Sequence, residues 1–187
     1  MTAPPASGVA PWLAGGALAL SLAVLAARRP VSVLGAYAAQ ATVLALTMGW
    51  QAWLQGSPPL AAAALITFGV KGVGLPLLLR PAFRGMRPIA GGWAPVALGA
   101  VVAALAAAVA PEELAPALAI TLLGLLTIAA RRGRTLRMVG LLSLENGVAL
   151  AASCAAGVPG VLALTLASLG VAGLAAASLA PARTRPA

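Results

Sequence analysis

Arg131-Arg-Gly-Arg-Thr-Leu-Arg-Met-Val-Gly-Leu-Leu-Ser-Leu-Glu-Asn-Gly-Val-Ala-Leu150 is the stretch whose reading decides the fold. It opens with four arginines in seven residues and then turns apolar for about one bilayer crossing. Inside the apolar part sits Glu145, the only acid of the chain outside a short connector. A carboxylate in hydrocarbon is costly unless it is protonated, paired or facing water, so Glu145 is a candidate functional group. Asn146 follows it, about 100° further round a helix.

The rest of the chain repeats the apolar half of this pattern. Of 187 residues, 61% are hydrophobic and only 8% charged, against roughly 25% charged in a soluble domain. Apolar runs of about 18 to 25 residues, each long enough to span a bilayer as a helix, cover most of the length. They run roughly from Trp12 to Ala27, Val31 to Leu54, Leu60 to Leu79, Trp93 to Ala110, then to Ala130, from Met138 to Ala156, and to Ala180. Continuous apolarity, without alternation, excludes a closed β-barrel. The expected fold is therefore all-α: a polytopic membrane bundle of about seven transmembrane helices, one integral membrane domain over residues 1–187. No basic n-region precedes the first run, and Arg28 and Arg29 follow it, so it reads as a retained helix.

Charge sets the expected orientation. Every basic residue except Lys71 lies after the first, third or fifth run or in the tail. By the positive-inside rule the N-terminus is then outside and the C-terminus cytoplasmic, in the inner membrane of a prokaryote. Trp12, Trp53 and Trp93 fall near the ends of runs, where an aromatic belt belongs. The net charge of +9 thus reports topology. No nucleic-acid partner is expected, because no aromatic platform or groove-reading motif accompanies the arginines. Cys154 reads as a small buried apolar residue, and with no histidine or acid cluster neither a metal nor a cofactor is expected. Glu112 and Glu113 read as exposed acids at a helix start, and Ser143, Ser153, Thr121 and Thr165 as hydroxyls bonded to their own helices.

Counting inward from the arginines at about 1.5 Å per residue puts Glu145 roughly 12 Å deep, Lys71 roughly 13 Å and Gln40 roughly 16 Å. Opposite charges at one depth can share a pocket. Spacing leaves two readings open, a proton-relay or ion-pathway element and an ion pair that locks the third helix to the sixth. Pro76 removes the hydrogen bond to the Gly72 carbonyl, which predicts a kink beside Lys71.

Gly35-Ala-Tyr-Ala-Ala-Gln40, Thr67-Phe-Gly-Val-Lys-Gly-Val-Gly-Leu-Pro76, Leu123-Gly-Leu-Leu126 and Arg137-Met-Val-Gly-Leu-Leu-Ser-Leu-Glu-Asn-Gly147 resemble hydrogenase-4 component E. That family supplies a small membrane subunit of formate hydrogenlyase and other group 4 membrane-bound hydrogenases. Its last three helices, about 115–180 here, are similar to the K-type subunit of complex I and the C subunit of multisubunit cation/proton antiporters. The resemblance implies that Glu145 is the family's membrane glutamate and Lys71 its third-helix lysine. It implies a place between a connecting arm and antiporter-like subunits. The chain departs from the family in its last run, which offers Thr165 and Ser168 where a second acid is usual, and in lacking a histidine after Glu-Asn-Gly.

These readings converge on a non-catalytic membrane subunit that helps couple redox chemistry to proton or cation translocation. An accessory subunit of a cation/proton antiporter is the alternative. An independent small permease fits less well, since no internal repeat is visible. An intramembrane enzyme fits least, with no nucleophile–base or metal constellation.

Overall fold

The apolar runs fold as helices whose ends are set by proline, glycine and arginine. The computed structural model describes residues 9–84, 86–89 and 93–155, and these form six helices. They are α1 (Val9–Ala26), α2 (Pro30–Gln55), α3 (Pro58–Arg84), α4 (Ala94–Val109), α5 (Ala115–Ala130) and α6 (Arg134–Ala155). No strand occurs among the described residues. The seventh run and the arginine tail lie outside them.

Local chemistry explains the boundaries. Pro30 and Pro58 open their helices at the first position, where an N–H would be unpaired in any case. Gly56 ends α2 in the left-handed conformation at φ 59°, and the Ser57 N–H reaches back to the Ala52 carbonyl at 2.9 Å. This closure satisfies orphan carbonyls of the last turn.

Two of the helices, α2 and α3, have the length and apolarity to cross a membrane. Trp12–Ala26, Ala94–Val109 and Ala115–Ala130 are apolar but shorter than the sequence runs predict. At 16 residues, α4 and α5 rise about 24 Å, less than the roughly 30 Å of a hydrocarbon core. The third helix departs in the other direction. It continues through Pro81 to Arg84, so Arg80 and Arg84 belong to its last turns and not to a connector.

Helix α2 is the axis of the bundle, packed against α1, α3 and α6, while α5 packs on α1, α4 and α6. The closest pairing is α5 with α6. A methyl group on Gly124 would lie 2.7 Å from Leu144 Cα, so only glycine admits that approach.

Side chains sort into two apolar clusters at opposite ends. One joins Leu44, Met48, Leu60, Ala63, Ile120 and Leu150. The other joins Val24, Tyr37, Leu75, Phe83, Val139 and Leu142 and adjoins the arginine-bearing connectors. Those connectors are tied together. The Ile89 N–H donates to the Arg28 carbonyl at 2.7 Å. The Arg131 guanidinium donates to the Val24, Leu25 and Ala27 carbonyls at the end of α1. The expected gathering of arginines at one end is thus present in the fold for the nine that are described.

Candidate functional site: a polar layer between two apolar clusters

Between the two clusters lies a layer of buried polar residues from four helices. Ser21 of α1 falls between Ala17 and Val24, Gln40 of α2 between Tyr37 and Leu44, and Lys71 of α3 between Ala64 and Leu75. Ser143, Glu145 and Asn146 of α6 fall between Leu142 and Ala149. The depths counted from sequence therefore meet in one layer.

Lys71 is the centre of its charged half. Only 2% of the residue is exposed, and its Nζ donates to Glu145 Oε2 at 3.3 Å and to Asn146 Oδ1 at 3.5 Å. The two acceptors sit on successive positions of α6, and the long lysine side chain reaches between them. Asn146, although about 100° further round α6 than Glu145, thus reaches the same ammonium. Glu145 is the more open partner, with 12% of its side chain exposed. A buried pair of this kind needs further hydrogen bonds to offset desolvation, and Asn146 supplies one.

The neutral half of the layer is a hydrogen-bonded chain. Ser143 Oγ donates to Gln40 Oε1 at 3.0 Å, Gln40 Nε2 donates to Ser21 Oγ at 2.7 Å, and Ser21 Oγ donates to the Ala17 carbonyl at 2.9 Å. Gln40 is thus in the layer but makes no hydrogen bond to Lys71 or Glu145. Ser143 and Asn146, three residues apart on α6, bring the two halves side by side. Ser143 corrects the sequence reading, since its hydroxyl bonds across the bundle and not to its own helix. Thr121 and Ser153 do bond to their own helices, through the carbonyls of Ala117 and Leu150, and Thr165 lies outside the described residues.

Two buried donors beside this layer have no partner among the described residues, the Tyr37 hydroxyl and Asn146 Nδ2. Tyr37 is fully buried, three residues before Gln40 on α2. An unmatched buried donor costs about 1–3 kcal/mol.

The backbone around Lys71 is also unusual. Thr67–Gly74 is π-helical, and the Leu75 N–H donates to the carbonyl of Val70, five residues back. The next residue in that register is Pro76, which has no N–H to give to the Lys71 carbonyl. The break beside Lys71 is this widened segment, not a proline kink alone.

Comparison of the chain with protein-family models, curated proteins and solved structures finds no match. The chemistry must be read from the residues. The layer holds one cation and one carboxylate at hydrogen-bond distance, with amide and hydroxyl groups around them. Such a set can hold, share and reorient a proton. Among the described residues no group of three or more His, Cys, Asp or Glu comes together.

Other expectations divide. Glu112 and Glu113 are exposed in the turn before α5, as read from sequence. Cys154 is exposed, with Gln51 Nε2 4.0 Å from its sulfur, which corrects its expected burial. Sequence reasoning missed Arg131, whose side chain is 6% exposed as a residue while its neighbours Arg132 and Arg134 face outward. Burial lowers its pKa from the usual arginine value. No sequence signal separates it from the adjacent arginines.

Proposed function

We propose that this chain is a non-catalytic membrane subunit of a group 4 hydrogenase or related complex I-like assembly, in which Glu145 and Lys71 form one station of a proton path. The observation that carries the reading is the 3.3 Å Lys71–Glu145 pair in a layer flanked by apolar clusters. Charged residues at such depth in an apolar helix bundle mark ion and proton pathways. The Asn146 Nδ2 donor, beside Glu145 on α6, supports it, because it can follow a change in the charge of Glu145.

The chain then crosses the inner membrane of a prokaryote seven times, with its N-terminus outside and its C-terminus cytoplasmic. The nine arginines at one end of the bundle support this orientation. Exposed apolar side chains around the helices, such as Leu46, Leu65 and Leu105, face lipid or neighbouring subunits. Its partners are antiporter-like and connecting-arm membrane subunits, and the redox centres reside on other chains.

The test is affinity purification in mild detergent followed by identification of the retained subunits. Antiporter-like subunits together with a nickel-site subunit are expected. Antiporter subunits without the nickel-site subunit would transfer the role to a cation/proton antiporter. Full transport activity of the isolated chain in liposomes would refute a subunit role.

A further inference from the structure

We infer that the corner formed by Arg28, Arg29, Arg84 and Arg87 is a headgroup site for an anionic phospholipid. The inference rests on the membrane reading above. The Ile89–Arg28 backbone hydrogen bond fastens the connector after α3, which carries Arg87 and follows Arg84 at the helix end, to the connector after α1 with Arg28 and Arg29. All four are exposed. No acid among the described residues lies at this end, because Glu112 and Glu113 are in the opposite connector and Glu145 is paired with Lys71. The corner therefore carries concentrated positive charge with no counter-charge of its own.

What borders the charge selects the partner. Val73 and Leu77 are exposed on α3, 40% and 61%, and continue at helical spacing into Arg80 and Arg84. Trp93, at the start of α4, is also exposed. A band of guanidinium groups directly above an apolar stripe matches a phosphate above an acyl chain. A soluble acidic protein or a nucleic acid would leave the apolar stripe uncovered. Guanidinium groups grip phosphate oxygens through paired N–H donors, which ammonium groups cannot do.

The site predicts headgroup selectivity beyond general lipid coating. Purified chain is loaded with equal amounts of phosphatidylglycerol and phosphatidylcholine of identical acyl chains, and the lipid retained is read by native mass spectrometry. Phosphatidylglycerol is expected to be kept preferentially, and Arg84→Gln with Arg87→Gln to weaken it roughly 25-fold, about fivefold for each arginine. Arg132→Gln with Arg134→Gln, at the same end but on another connector, is expected to retain it. Equal retention of the two lipids, or equal loss in both double variants, would overturn a local site. Displacement by millimolar glycerol phosphate would overturn the lipid as occupant in favour of a free anion. Alkaline extraction of membranes tests the underlying reading separately. Release of the chain there defeats the membrane assignment, whereas a retained chain without headgroup preference defeats only the site.

Discussion

Replacing Glu145 by Gln and Lys71 by Met, singly and together, separates the two roles open to the pair. At 3.3 Å the two charges attract by about 5 kcal/mol at an effective dielectric of about 20. Removing one partner of a buried pair costs about 3–5 kcal/mol, much of it from the charge left behind. The lysine is nearly fully buried and Glu145 is partly open, so the penalties differ. Glu145→Gln strands the ammonium but keeps an acceptor in place, and a loss of about 3 kcal/mol is expected. Lys71→Met strands a carboxylate that can take up water, and a smaller loss is expected. The double variant removes both charges and should return to within about 1 kcal/mol of the parent, a coupling of more than about 2 kcal/mol. Stability is read from denaturation of the assembled complex in detergent, and function from proton uptake into vesicles. If Glu145 is a proton station, the double variant regains stability but not uptake. Recovery of both would refute the relay and leave a structural lock. Additive losses in stability would refute the pair itself.

Two further outcomes follow from the packing and the connectors. Gly124→Ala should separate α5 from α6 and destabilise the fold by about 1–3 kcal/mol, whereas Gly69→Ala, with nothing within 4 Å of the new methyl group, should leave thermal stability within about 1 kcal/mol of the parent. Arg131→Gln should cost about 1.5–3 kcal/mol by releasing the carbonyls at the end of α1, while Arg132→Gln should change denaturation little, because its side chain is exposed.

Much of this arrangement is legible from the order of residues alone. Continuous apolar runs broken by arginine, glycine and proline predict helices, and the structure has a helix on each of the first six. Depth counted from the arginines brings Lys71 and Glu145 to one level, and the fold joins them. Counting depth cannot assign faces, so Gln40 is placed at the right level but given no partner. Ser21 and Ser143 are invisible for the same reason. A serine in an apolar helix usually bonds to its own backbone, and only the packing of α1, α2 and α6 turns these two inward to one glutamine. Arg131 is hidden by its neighbours, since three arginines in four residues look alike until one enters the bundle. Cys154 fails on face, because Ser153 beside it is buried while Cys154 turns outward on the same turn of α6.

The π-helical segment accounts for the periodicity of burial along α3. On this helix Ala63, Thr67, Lys71, Leu75, Leu79 and Phe83 are buried at every fourth position, with Leu60 and Ala64 also buried at its start. In an α-helix each such step overshoots a full turn by about 40°. Over the five steps the buried stripe would swing about 200°, to the opposite face of the helix. A stripe of this interval stays against α2 only if the helix is locally wider than 3.6 residues per turn. Thr67–Gly74 provides the extra width, and Gly72 and Gly74 suit it because a side chain at either position would meet a close neighbour. A methyl group on Gly74 would sit 3.1 Å from the Gly69 carbonyl oxygen, and one on Gly72 would sit 3.1 Å from Thr42 Oγ1. The widening keeps Lys71 in line with Leu75 and Phe83 and turns its ammonium toward α6. Pro76 brings no N–H to this stretch, so the break in backbone hydrogen bonding falls beside the cation that faces Glu145.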